Sequence, residues 1–140
     1  MRQILLFAAL AASLALLSGC ALSKAKADTA EDMSDKAAYQ KISAEEAYEM
    51  MASQEVVVVD VRTQKEYDGG HIENAVLVPN ESIGSEMPEV LPDKEATLLV
   101  YCRSGRRSKD AAEKLLALGY QSVYDFGGVI DWPYELVKEG

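Results

Sequence analysis

The sequence predicts an α/β fold built on a mainly parallel sheet, and three observations carry that expectation. Val56-Val57-Val58-Val59 is an unbroken β-branched run. A strand apolar at every position is buried on both faces, as in parallel sheets. Three further short apolar runs, at 76–78, 98–101 and 122–126, alternate with stretches of helical pattern, and such alternation implies helices packed on a parallel sheet. The chain has 140 residues, which points to a single domain with one modest core.

The first residues read as an address. Arg2 precedes the apolar run 4–17, which is too short to span a bilayer comfortably as a mature helix. The run ends at Leu17-Ser18-Gly19-Cys20, which resembles the bacterial lipobox, where cleavage leaves the cysteine as an acylated N-terminus. The expected division is a lipoprotein signal peptide over 1–19, a lipidated Cys20 with a flexible tether over 20–40, and the folded domain over 41–140. Rich in Ala, Lys, Asp, Ser and Glu, the tether reaches on the order of 25 Å as a flexible chain.

Ser43 and Glu46 fit a capping box that opens the first helix, with Ala47, Tyr48, Met50 and Met51 giving it an apolar side. Gln64 to Tyr67 and Glu81 to Met87 suit short helical turns, and Val76-Leu77-Val78 before Pro79 suits a strand. Leu98-Leu99-Val100-Tyr101 suits another strand, and Ser108 to Leu118 a helix closed by Gly119. Residues 122–126 suit the last strand. Val129 to Val137 is expected to be helical, kinked or restarted at Pro133.

The chemistry concentrates at Cys102-Arg103-Ser104-Gly105-Arg106-Arg107, a loop between strand and helix. Open α/β sheets bind ligands at this end of their strands. Gly105 permits a tight loop, whose N–H groups form an anion-binding nest extended by the helix N-terminus. The formal charge is −9, yet Arg103, Arg106, Arg107 and Lys109 all fall within 102–109. Amides, helix end and guanidinium groups each favour a thiolate at Cys102, which makes it a nucleophile. With Cys20 lipidated, Cys102 has no disulfide partner and stands as a reactive thiol. His71, the chain's one histidine, and Cys102 are isolated from other ligand types, so no metal and no cofactor is expected. The acidic balance argues against nucleic acid.

Three blocks in order resemble the rhodanese family. The first is Asp60-Val61-Arg62-Thr63 with Glu66-Tyr67, Gly70-His71-Ile72, Ala75 and Pro79. The second is the 102–107 loop. The third is Gly119-Tyr120, Gly127-Gly128 and Trp132. The resemblance implies a rhodanese-like, mostly parallel five-stranded sheet with helices on both faces. It also implies sulfur transfer from a donor such as thiosulfate, through a persulfide on Cys102, to a thiol or cyanide. Arg103, Ser104, Gly105, Arg106 and Arg107 would bind the substrate, Arg103 and Arg106 resembling loop residues associated with thiosulfate rather than mercaptopyruvate. Asp60, Arg62, Glu66 and His71 read as structural support, since ion pairs and hydrogen bonds that fix the cleft explain charges of mixed sign.

The resulting expectation is a monomeric sulfurtransferase. It is held to a membrane through Cys20, on the extracytoplasmic face. Its partners would be a small anionic sulfur donor and a thiol acceptor, either a small molecule or a thioredoxin-like protein. Competing readings are a non-catalytic binding module, a persulfide or redox relay at the membrane, and a cysteine phosphatase or arsenate reductase. The last wants a loop of cysteine, five residues and arginine. Here Ser108 is six residues after Cys102 and Arg107 only five, a loop one residue short for a tetrahedral oxyanion.

Overall fold

The computed structural model describes residues 37–138; the segment expected to be a signal peptide, over 1–19, and Cys20 lie outside them. Five strands form one sheet: β1 (Gln40–Lys41), β2 (Val57–Asp60), β3 (Val76–Leu77), β4 (Thr97–Cys102) and β5 (Ser122–Gly128). Their spatial order is β1-β5-β4-β2-β3, and every pairing is parallel. Three helices connect them: α1 (Ala44–Ser53), α2 (Gln64–Asp68) and α3 (Arg106–Ala117).

Side-chain alternation along the central strand divides the core into two. Leu98, Val100 and Cys102 pack with Ala111, Ala112 and Leu115 of α3 on one face. Leu99 and Tyr101 pack with Ala47 of α1 and Tyr67 of α2 on the other. Helices therefore flank both faces. Leu115 is fully buried, so truncating it to alanine would cost ~2–5 kcal/mol.

Local signals set the helix starts. Ser43 and Glu46 make the expected capping box, and Thr63 with Glu66 makes a second at α2. Gly119, at φ +97°, follows α3 in the left-handed conformation that suits glycine there.

Four expectations need correction. Tyr39 and Gln40, assigned to the tether, belong to the fold: Gln40 pairs with Tyr124 in β1–β5, and Tyr39 Oη donates to Asp125. Helix α3 begins at Arg106 rather than Ser108, with Gly105 at its N-cap. Residues 129–137 do not form a helix. A 3-10 turn at Val129–Asp131 gives way to Trp132 at ψ 114°, since a residue before proline is steered away from the helical region. The segment then returns to pair Val137 with His71 in an isolated antiparallel bridge. The turn expected over 81–87 shrinks to a 3-10 turn at Asn80–Ser82.

Candidate active site

Asp60, Cys102 and Gly128 end β2, β4 and β5, so three strand termini meet at one edge of the sheet. Cys102 is the last residue of β4 rather than the first of the loop, and its register partner is Gly128. The register of β4 on β5 shifts between Val100 and Tyr101, with Val100 opposite Asp125 and Tyr101 opposite Gly127. The bulge leaves Phe126 unmatched and brings Gly127-Gly128 alongside the cysteine loop.

Above Cys102 the chain turns through Arg103 and Ser104 to Gly105, whose φ of +97° is one that side-chain-bearing residues rarely adopt. That turn aims the Gly105 N–H at Cys102 Sγ, 3.0 Å away. Cys102 is completely buried. Burial pushes its thiol up, but hydrogen bonding from Ser108, Gly105 and Ser104, chiefly through their amides, outweighs it, and the net shift is downward. The amide nest read from the sequence is thus present. Ser108, not singled out in the sequence, supplies one of its amides.

The loop arginines part company. Arg107 forms a two-pronged pair with Glu66, at 2.9 and 2.8 Å. This pairing, opposed by burial and helped by the Thr63 donors, holds the Glu66 carboxyl down at about 2. Arg107 therefore bolts α3 to α2. Arg103 and Arg106 have exposed side chains. Arg106 and Arg107 join Ser104, Asn80, Glu81 and Asp110 around an open polar cleft of about 650 Å³ beside the loop.

Asp60 and Arg62 lie on the other face of the sheet from Cys102. They form a buried pair, with Nη2 2.6 Å from Oδ2, and Arg62 Nη2 also donates to the Gly70 carbonyl. Tyr101 Oη donates to Asp60 at 2.6 Å and accepts from the Ile72 N–H at 3.1 Å. Tyr101 directly precedes Cys102, so this network pins the end of β4 from below. His71 is buried and stacks on Tyr67 at 3.7 Å between ring centroids. Its Nδ1 lies 3.0 Å from the Tyr67 carbonyl oxygen, and its backbone is paired to Val137. These contacts join His71 to the α2 side of the molecule, away from the thiol.

Asp125 is the residue the sequence reading missed most plainly. It occupies an inward-facing strand position, is 1% exposed, and accepts from Ser108 Oγ, the Gly127 N–H, Tyr39 Oη and Lys41 Nζ. Its signal was available: an aspartate two residues after Val123 in a strand pattern is out of place unless partnered.

Comparisons with known proteins agree with this architecture. Residues 43–133 match the family model described as Rhodanese-like domain. The structure of a rhodanese with anions from E. coli is 33% identical, with a TM-score of 0.56, over 61% of this chain and 100% of that one. A rhodanese-like domain protein from Staphylococcus aureus is 31% identical, with a TM-score of 0.62, over 72% of this chain and 99% of that one. The tRNA uridine(34) hydroxylase of Photorhabdus laumondii is 32% identical over 104 residues, which is 71% of this chain but 30% of that protein. The chain thus spans about a third of the length of the curated relatives it matches. The match over residues 43–133, carried on a five-stranded parallel sheet that ends in the Cys102 loop, makes this chain a member of the rhodanese family.

Proposed function

We propose that the protein is a sulfurtransferase in which Cys102 carries sulfur as a persulfide. The observation that carries this reading is the set of N–H donors closing on Cys102 Sγ, with Gly105 N at 3.0 Å. Such a nest favours an anionic sulfur before and after loading. The thiolate attacks the sulfane sulfur of thiosulfate, a new S–S bond forms, and the bond to the sulfite sulfur breaks. Sulfite leaves with the electron pair. In the second half, cyanide or an acceptor thiolate attacks the outer sulfur and the Cys102 thiolate is regenerated. No separate base is needed, because the thiol is ionised before attack.

The donor class follows from size and charge. Cys102 lies beneath its loop and the adjoining cleft carries Arg106, which suits a small anion. Arg103 and Arg106 would draw the donor in, while Ser104, Gly105 and Ser108 would hold the transferred sulfur. Arg107, committed to Glu66, would act by fixing the first turn of α3. Asp60, Arg62, Glu66 and His71 would support the cleft. We place the protein on the extracytoplasmic face of a membrane as a monomer held by acyl chains on Cys20. There a small thiol or a thioredoxin-like protein would take the sulfur.

Turnover of thiosulfate with cyanide tests the activity. Thiocyanate formation by the wild type and its loss in Cys102→Ser support the proposal. No turnover with thiosulfate, mercaptopyruvate or glutathione persulfide, paired with cyanide and with thiol acceptors, would reject it.

A further inference from the structure

We propose that Asp125 is the positioning residue of the Cys102 loop and that Lys41 is its counter-ion, so that edge strand β1 is part of the machinery that keeps the nucleophile ionised. The inference rests on Cys102 being the reacting thiolate.

Asp125 stands on β5 with Val123, facing α3. Its Oδ1 accepts from Ser108 Oγ at 2.7 Å and from the Gly127 N–H at 2.8 Å. The Ser108 hydroxyl also lies 3.0 Å from the Gly105 carbonyl and 3.3 Å from that of Gly127. It has one hydrogen, and the shortest contact is to the charged acceptor, which is the stronger one. Ser108 is the third residue of α3. Holding it fixes the helical turn whose amides, with that of Gly105, face Cys102 Sγ. The Gly127 bond fixes the opposite wall, where Gly127-Gly128 underlie the loop. Through one carboxylate oxygen, Asp125 thus holds both sides of the nest.

A carboxylate so placed has an electrostatic cost. It is an anion behind an anion, and alone it would oppose ionisation of Cys102. The structure supplies the compensation from β1. Lys41 pairs in register with Asp125 and brings Nζ to 3.2 Å from Oδ2, while Tyr39 Oη donates to the same oxygen at 2.7 Å. Lys41 Nζ sits over the loop's glycines, 3.2 Å from where a Gly127 Cβ would stand and 3.9 Å from that of Gly105. Its side chain is 51% exposed, so its ammonium keeps much of its hydration while neutralising a fully buried partner. The other charges facing this region are Lys109 of α3, with Nζ 6.0 Å from the Tyr39 ring, Glu113 of the same helix near the Tyr39 hydroxyl, Arg107 from α3, paired with Glu66 from α2, and Glu81 beyond them. None of these touches Asp125.

A purely structural role for this network would change stability without ordering the ionisation of Cys102. The proposed role predicts shifts of opposite sign. The measurement is the pH dependence of iodoacetamide alkylation on the full chain, read by mass spectrometry at the Cys102 peptide so that Cys20 does not contribute. Lys41→Met should raise the midpoint by about half a unit, and adding Asp125→Asn should return it to the wild-type value or below. Asp125→Asn alone retains an oxygen acceptor for Ser108 and Gly127 and should not raise it. Asp125→Leu, which frees both, should raise it by about one unit although a negative charge has gone. An unchanged midpoint in Lys41→Met overturns the counter-ion role. An unchanged midpoint in a folded Asp125→Leu overturns the positioning role; if that variant does not fold, Ser108→Ala, which cuts the same tie from the helix side, replaces it, and an unchanged midpoint there overturns the role. A raised midpoint in Asp125→Asn overturns the electrostatic cost assigned to the carboxylate and with it the counter-ion role. Because alkylation needs no sulfur donor, a protein that shows these shifts yet transfers no sulfur would reject the sulfurtransferase reading and leave this inference standing.

Discussion

Gly128→Ala is the sharpest perturbation of the site that leaves every chemical group in place. A methyl added at Gly128 would stand 2.6 Å from Ser104 Cα and 2.7 Å from the Arg103 carbonyl carbon, with the Arg103 oxygen nearer still. All three atoms are backbone, so no side-chain rotation relieves the overlap. Gly128 itself is extended, at φ −125° and ψ 146°, so alanine brings no intrinsic strain and the clash is the whole effect. Restoring ordinary contact requires the 103–104 segment to retreat by about 1 Å, at ~1–3 kcal/mol of stability. The same movement would carry the Gly105 N–H away from Cys102 Sγ, where it now stands at 3.0 Å. A misplacement of that size costs on the order of 100-fold in rate. Single-turnover loading from thiosulfate, quenched and read by mass, measures the rate; urea denaturation measures the stability. Gly84→Ala serves as control, since nothing lies within 4 Å of its added methyl, and it should change neither. A Gly128→Ala protein that loads sulfur at the wild-type rate would refute the view that loop placement sets reactivity.

Three other outcomes follow from the same structure. Glu66 titrates at about 2 in the folded protein against 4.5 for the free group. Its folded pKa is depressed, so its contribution is present above about 4.5 and is lost as pH falls toward 2. Glu66→Gln should therefore destabilise by ~1–2 kcal/mol at pH 7, allowing for a pair that is roughly a quarter exposed, and by nothing measurable near pH 2; urea melts at both pH values decide it. Tyr101→Phe removes both the donor to Asp60 and the acceptor for the Ile72 N–H in a buried network, and should cost ~2–3 kcal/mol in thermal or urea melts. The Cys102 alkylation midpoint should stay within about 0.3 units, because Tyr101 faces the other side of the sheet. Cys20→Ala should move the full chain, expressed in a bacterium, from the detergent phase to the aqueous phase in a phase-partition assay; retention with detergent would remove the lipid anchor from the proposal.

The sequence made the interior of this fold legible where one residue type dominated a segment. Val57 to Val59 could only be a strand buried on both faces, and Ser43 with Glu46 announced the start of α1. The Cys102 loop was legible because its glycine and its charges are contiguous. Three things were hidden. Strand β1 has only two residues and no pattern of its own; it exists because Ile42 N–H reaches the Asp125 carbonyl and Lys41 reaches the Asp125 side chain. The 129–137 segment carried apolar residues at helical spacing, but Pro133 and the pairing of Val137 with His71 held it extended. The link from Asp125 to Ser108 spans 17 residues, and that to Lys41 spans 84. Only the topology β1-β5-β4 brings these three together beneath the loop. The partner of Arg107 was hidden for a related reason: local charge placed it in the loop, while Glu66, which pairs with its Nη1 and Nη2, lies 41 residues away.

The central claim is that Cys102 takes a sulfur atom, and the most direct test is the intact mass of the protein after exposure to thiosulfate, with Cys102→Ser alongside. A gain of about 32 Da in the wild type, reversed by cyanide or a thiol and absent from the variant, is the predicted result. An unchanged mass with thiosulfate, mercaptopyruvate and glutathione persulfide alike, in a protein whose Cys102 still alkylates with a depressed midpoint, would contradict it.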